Sequence, residues 1–339
     1  MELDAKIYVA GHRGLVGSAI MRQLEKAGYR NVVTRTHAEL DLTNQSAVRE
    51  YFGQEKPEYV FLCAAKVGGI VANNTYPAEF IHQNLAIQTN VIHESYMAGV
   101  ERLLFLGSSC IYPRDCSQPI KEEYLLTGPL EPTNRSYAIA KIAGIEMCWA
   151  YNRQYGTQYL AIMPTNLYGP GDNYDLETSH VLPAMIRKFH EAKVAYESSA
   201  HSPQPQNSRV VLWGTGKPKR EFLYSDDLGE AAVYLIKLDP KTLNQITENH
   251  ESPPLINIGV GKDITIQELA KLVQEVVGFN GDLVWDTNKP DGTPRKLLDV
   301  GILTSIGWEA KTSLKAGIKL AYKDYLQSIQ EYVPTKLNK

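Results

Sequence analysis

The run Lys6-Ile7-Tyr8-Val9-Ala10-Gly11-His12-Arg13-Gly14-Leu15-Val16-Gly17 decides how this chain is read. A β-rich stretch leads straight into three glycines, and an apolar helical pattern follows to about residue 28. Strand, glycine turn and helix N-terminus in that order make a dinucleotide-binding turn. The first glycine permits the turn, the next lets backbone approach a pyrophosphate, and the last lets helix pack on strand. Free N–H groups and positive potential at the helix start complete the cradle. His12, Arg13, Leu15 and Val16 line it. Glycines also punctuate ordinary turns, and it is the flanking strand and helix that favour the cofactor.

Outward from this turn, short apolar runs alternate with helical patterns. The runs are 6–10, 31–35, 59–65, 102–107 and 159–163; the helices fall near 15–28, 44–54, 77–98 and 136–155. Near-continuous apolar strands suit a parallel sheet covered on both faces. The rhythm predicts an α/β fold with a doubly wound parallel sheet. Beyond Pro164 the rhythm is lost. A helix over 180–193, strands at 210–213, 221–224 and 283–285, and a helix near 313–329 suggest a smaller α+β domain. Residues 195–208, rich in Ser, Pro, Gln and Asn, read as an exposed loop. Asp226–Ile258 is expected to return to the first sheet. That gives one domain of 1–165 plus about 217–258, and a second of about 166–216 plus 259–339. Thr265-Ile266-Gln267-Glu268 is a capping box opening a helix that stops at Gly278.

The second strand ends Val33-Thr34-Arg35-Thr36-His37, without the acid that holds a ribose 2′-hydroxyl in NAD enzymes. Arg13 and Arg35 are placed to meet a 2′-phosphate instead, which points to NADP. Asp41 either approaches the adenine or serves as a turn residue. Tyr137 and Lys141 share one helix face at i and i+4. A free tyrosine is a poor acid or base near neutrality, and a nearby ammonium is expected to draw its pKa down. Ser108 ends a strand, where ligands sit in α/β sheets. Tyr-x-x-x-Lys alone is a common surface pattern; after a glycine turn and a strand-terminal Ser it reads as catalytic.

This set resembles the extended short-chain dehydrogenase/reductase superfamily, with its Rossmann domain and nucleotide-sugar substrates. Leu106–Pro113, Ala64–Ile70, Pro164–Pro170 and Lys289–Lys296 are similar to the branch that epimerises and reduces GDP-linked 4-keto-6-deoxy sugars. The resemblance covers nearly the whole chain. It implies catalytic roles for Ser108, Cys110, Tyr137, Lys141 and His180. It also implies a coenzyme site that adds Leu42, Ala64, Ala65, Leu106, Gly107, Pro164, Thr165, Asn166, Leu167 and His180. Lys188, Trp213, Arg220 and Asp291 would grip the GDP-sugar. Relatives commonly carry Arg where Lys188 stands, and Arg where His37 stands. On this reading a Cys110 thiolate of lowered pKa takes protons beside the keto group, and His180 returns them. Away from the resemblance, Cys110 reads as a buried small hydrophobe and His180 as a helix cap. Helices 77–98 and 136–155 would pair across a homodimer.

Composition sets the limits. The 339 residues carry 35 basic and 38 acidic side chains, net charge −3, with 43% hydrophobic residues. No basic run suits nucleic acid, and no apolar stretch suits a bilayer. Cys63, Cys110, Cys116 and Cys148 form no metal-ligand spacing. No basic-then-apolar leader opens the sequence, which points to a reducing, cytoplasmic setting. Two rivals stand beside this reading: another nucleotide-sugar enzyme (a 4-epimerase or 4,6-dehydratase), and an NADP sensor without activity.

Overall fold

The computed structural model describes residues 1–199, 209–247, 253–289 and 291–331. Its main sheet holds β1 (Ile7–Ala10), β2 (Val32–Val33), β3 (Tyr59–Leu62), β4 (Arg102–Leu106), β5 (Gln158–Pro164) and β10 (Leu255–Ile258). The strands run parallel in the order β10-β5-β4-β3-β1-β2. The late return of β10 to this sheet matches the sequence reading of Leu255–Ile258.

Side chains alternate between the two faces, as strand geometry requires. Ile7 and Val9 join one core with α1 (Leu15–Lys26) and α7 (Ser225–Ile236). Tyr8 and Ala10 join the opposite core with α2 (Gln45–Glu55), α4 (Pro77–Met97) and α5 (Arg135–Tyr155). Helices thus cover both faces of a doubly wound α/β sheet. α3 (Ile70–Thr75) precedes α4. A third core gathers Tyr168, Met185, Phe189, Leu212, Val273 and Ile318. It lies among α6 (Val181–Ser199), α9 (Ile266–Val277), α11 (Leu314–Glu331), β7 (Arg209–Trp213) and β12 (Asp282–Asp286). β7 and β12 pair in parallel.

Small sheets join the parts. β6 (Asn166–Tyr168) pairs with β9 (Phe222–Tyr224). β8 (Lys219–Arg220) lies between β11 (Ile264–Thr265) and β13 (Arg295–Lys296). α8 (Pro240–Thr247) and α10 (Gly301–Ser305) send Leu243 and Leu303 into the first core.

Two expectations change. The helix expected over 180–193 runs to Ser199, so the first part of the expected loop is helical; the rest, 200–208, lies outside the described residues. β2 is shorter than expected, because Thr36 turns the chain by donating its N–H to Glu39 at 2.7 Å. The capping box is present in full: Thr265 Oγ accepts from the Glu268 N–H, and Glu268 accepts from the Thr265 N–H.

Helices α1 and α7 meet at Gly229, where a Cβ would lie 2.8 Å from the Ala19 carbonyl. Gly229→Ala is expected to cost about 1–3 kcal/mol through overpacking. A thermal unfolding scan checks it, and an unchanged Tm would mean that the two helices separate freely.

Candidate active site

The chain switches direction between β1 and β3, and in such sheets the crevice beyond the carboxyl ends is where ligands bind. Gly11, with φ +85°, packs against the loop after β3; a Cβ there would lie 2.7 Å from Ala64 N. At Gly17 a Cβ would lie 2.1 Å from the Gly11 carbonyl oxygen. Bare backbone therefore brings helix, turn and the Ala64-Ala65 loop together. Gly14 meets only the Gly11 oxygen, at 3.5 Å, which leaves its outer side open. The N-terminus of α1 has no side-chain cap and no acid in its first turn. Its first N–H groups have no partner within the helix. His12 Nδ1 is buried with no hydrogen-bond partner among the described residues, and burial first, then Arg13, lowers the imidazole's pKa. An open turn, unfilled amides and an orphaned nitrogen fit a dinucleotide phosphate.

At the 2′ end the expected residues divide. Arg13 is exposed and has no hydrogen bond or ion pair among the described residues. Arg35 is engaged by Glu55 at 2.7 Å, by the Thr34 carbonyl at 2.8 Å, and lies 5.0 Å above the Tyr51 ring. Asp41 takes its turn role: Oδ1 accepts from Thr43 N at 2.9 Å and Thr43 Oγ at 2.8 Å. His37 Nδ1 is 3.9 Å from the same oxygen. Leu42 is a core residue whose carbonyl accepts from Asn90.

The candidate reactive groups follow the carboxyl end of β4 and lie on α5. Gly107 N–H donates to Ile162 at 2.9 Å, and a Cβ on Gly107 would strike Met163. Ser108 caps the short 3-10 turn of 109–111, its hydroxyl accepting from Cys110 N. Lys141 is buried; its ammonium donates to the Leu106 carbonyl at 2.7 Å and lies 5.8 Å from the Tyr137 ring. Burial brings its pKa down to about 8, against the pull of Cys110 and Cys63. Tyr137 packs edge-on against Phe80.

Two expected shifts are reversed. The Tyr137 pKa is raised, by burial first and by Cys110 second. Lys141 faces its ring and spends a proton on the Leu106 carbonyl, so desolvation wins. The Cys110 thiol is likewise raised by burial, against Lys296, the Ser108 hydroxyl and Lys141. Both groups hold their protons near neutral pH. His180 opens α6, its carbonyl accepting from Ala184 N. The residue is exposed, yet surrounding protein, then Lys296, lowers the imidazole's pKa.

Lys296 joins the two halves. Its ammonium acts on Cys110 and His180, and is itself influenced by Cys110, Arg220 and Cys116. The β8–β13 pairing sets it opposite Arg220. Sequence reading singled out the 289–296 motif but gave Lys296 no role; only the strand pairing reveals its place. The Thr165 N–H donates to Ile258, and Asn166 binds the Glu221 carbonyl, which fixes the loop after Pro164. Leu167 lies beyond it, packed against the first core.

On the far side, Trp213 is 60% exposed, with Lys188 5.8 Å and Lys289 5.3 Å from its ring. Lys188 donates to the Val211 carbonyl. Asp291 is committed to Thr215, accepting from N at 2.9 Å and Oγ at 2.7 Å. It anchors the turn that follows Trp213. Among the described residues no group of three or more His, Cys, Asp or Glu could hold a metal ion, and no helix is long and apolar enough to cross a membrane.

A glycine-turn α/β fold with Ser, Tyr and Lys at the sheet's carboxyl edge defines an extended short-chain dehydrogenase/reductase. The chain belongs to the NAD dependent epimerase/dehydratase family, whose model matches residues 7–247. It is 57% identical over 326 residues to GDP-L-fucose synthase 1 of Arabidopsis thaliana, covering 96% of this chain and 94% of that protein. It is 50% identical over 325 residues to GDP-L-fucose synthase of Escherichia coli (strain K12), covering 95% and 97%. A GDP-mannoheptose C4 reductase from Campylobacter jejuni with NADP bound superposes with a TM-score of 0.85 at 43% identity, covering 96% and 99%.

If Lys296 is the main cation holding the Cys110 thiol down, Lys296→Met should move the pH midpoint of Cys110 alkylation upward. Mass spectrometry of the modified peptide reads it; an unmoved midpoint would remove Lys296 from the thiol's surroundings.

Proposed function

We propose that this chain converts GDP-4-keto-6-deoxy-D-mannose to GDP-L-fucose with NADPH, by epimerisation at C3 and C5 followed by reduction at C4. What supports this reading is that Cys110, held beside Ser108, is felt by Tyr137 and Lys141, and that Lys296, set opposite Arg220, bears on both Cys110 and His180. A simple reductase needs only Ser108, Tyr137 and Lys141. The names of relatives at 50% and 57% identity support the substrate, and the NADP-bound reductase supports the coenzyme.

The C4 ketone acidifies the hydrogens on C3 and C5. Inverting each carbon takes a base on one face and an acid on the other. Ser108 and Tyr137 hold the oxygen on which charge develops. Cys110 acts as base once its proton has left, with Lys296 and Lys141 favouring the thiolate. His180 returns a proton from the other face. When bound, NADPH supplies the hydride for C4. Tyr137, still protonated, then gives its proton to the C4 oxygen, and Lys141 holds the ribose. Arg13 and the open glycine turn take the coenzyme's phosphates, with Arg35 joining if Glu55 releases it. Lys188, Arg220 and Lys296 meet the sugar's diphosphate, Trp213 offers a face for the base, and Asp291 fixes its turn.

In this reading residues 1–165 with about 217–258 bind the coenzyme, and about 166–216 with 259–339 bind the sugar. The separate third core supports the division in part: Leu303 and Trp308 of the second stretch pack in the first core, and Phe222 and Tyr224 of the first stretch pack in the third. The enzyme works as a homodimer in the cytoplasm. Exposed Met97, Ile139 and Tyr155 on α4 and α5 support pairing of those helices.

Purified protein, given NADPH and GDP-4-keto-6-deoxy-D-mannose, should consume NADPH and yield GDP-L-fucose by NMR. A 4-epimerase would consume none, and the sensor reading predicts binding without turnover. Cys110→Ser should lower solvent deuterium exchange into the sugar by roughly 10²–10⁴-fold while coenzyme affinity holds; unchanged exchange would remove Cys110. Tyr137→Phe should impair reduction far more than coenzyme affinity. The pH profile follows from the shifts. The acid form of His180 is lost at unusually low pH, and the base form of Cys110 appears at unusually high pH. Exchange should therefore show a broad bell, its acid limb below the ordinary histidine range and its basic limb above the ordinary thiol range. A single limb rising through pH 5–10 would contradict the pair.

A further inference from the structure

Glu221 is the single residue between β8 and β9, and it is fully buried. On one side β8 carries Arg220 and sets it opposite Lys296 on β13. On the other, β9 pairs with β6, the continuation of the Pro164–Thr165 loop. The Glu221 carbonyl accepts from Thr165 Oγ at 3.2 Å and from Asn166 Nδ2 at 2.8 Å. Its carboxylate reaches two further segments. Oε1 accepts from Val260 N at 2.6 Å and Gly261 N at 2.7 Å, just past the end of β10. Oε2 accepts from Leu298 N at 3.1 Å, two residues past Lys296. Gly259 makes the approach possible, since a Cβ there would lie 2.3 Å from Oε1.

A buried carboxylate is costly unless its lone pairs are satisfied. Here three main-chain amides do so, and no ion pair includes Glu221 among the described residues. The donors come from two separated stretches, so the side chain does more than close a local turn. It ties the Lys296 strand to the main sheet, while its own carbonyl ties Arg220 to the coenzyme loop.

We propose that Glu221 is a positioning residue: it holds Arg220 and Lys296 in register with the 164–166 loop, so that nucleotide-sugar and coenzyme meet at a fixed separation. This rests on the preceding assignment of those segments to sugar and coenzyme. Glu221→Gln keeps the volume but turns one carboxylate oxygen into an amide nitrogen, which cannot accept. With Oε1 kept on Val260 and Gly261, that nitrogen faces the Leu298 N–H, donor against donor. The Lys296 strand then loses its anchor, while the coenzyme loop keeps the Glu221 carbonyl.

The test compares wild type and Glu221→Gln by calorimetric titration with GDP and, separately, with NADPH. GDP affinity should fall about tenfold, as expected for a lost charge-assisted hydrogen bond. NADPH affinity should stay within about twofold. Turnover should show a raised KM for the GDP-sugar with a smaller change in kcat. Unchanged GDP affinity overturns the proposal, and so does a parallel loss of both affinities with a lowered Tm. Should the variant fail to fold, amide hydrogen exchange of the wild type decides. NADPH alone should slow exchange across 296–298, and exchange there indifferent to NADPH overturns the proposal. Wild-type protein that binds no GDP would sink the substrate assignment instead, and the NADPH-driven exchange would still read the tie through Glu221.

Discussion

A buried ammonium needs an acceptor, and Lys141 has the Leu106 carbonyl at 2.7 Å. That contact fixes α5 against the end of β4. It sets the distance between the phenol on the helix and the Ser108–Cys110 turn that leaves the strand. Because the site is desolvated, every titratable group in it is displaced toward its neutral form: tyrosine and thiol upward, lysine and histidine downward. The resting site is a set of proton-bearing acids with a neutral imidazole at its rim.

The same burial explains why charges outside the Ser-Tyr-Lys set matter. Lys296 pairs opposite Arg220, and its charge bears on both the thiol of Cys110 and the imidazole of His180. A diphosphate drawn to that pair would place the attached sugar beside Cys110. On the proposed assignment, substrate grip and proton transfer would share one electrostatic arrangement, with the single-residue junction at Glu221 keeping it in register.

Much of this was legible in the sequence. The main-sheet strands and the long helices follow from period and apolar runs, and Thr265–Glu268 announced its helix start. The strand, tight glycine turn and uncapped helix start were readable from local context alone. What escaped was non-local. Two-residue strands such as β8 and β13 carry no periodic signal, so Lys296 could not be placed. Arg35 read as free for phosphate, because nothing in the sequence pairs it with Glu55. The direction of the Tyr137 and Cys110 shifts failed for one reason. Sequence shows a lysine four residues from a tyrosine, but not that both are buried and that the ammonium faces the ring.

The central claim is convergence: thiol, phenol and imidazole around one sugar beside the coenzyme. The direct measurement is a crystal structure with NADP and a GDP-sugar bound. The account predicts the sugar's C4 oxygen on Tyr137 and Ser108, with Cys110 and His180 facing C3 and C5 from opposite sides. A sugar held away from Cys110, or with both groups on one face, would contradict it.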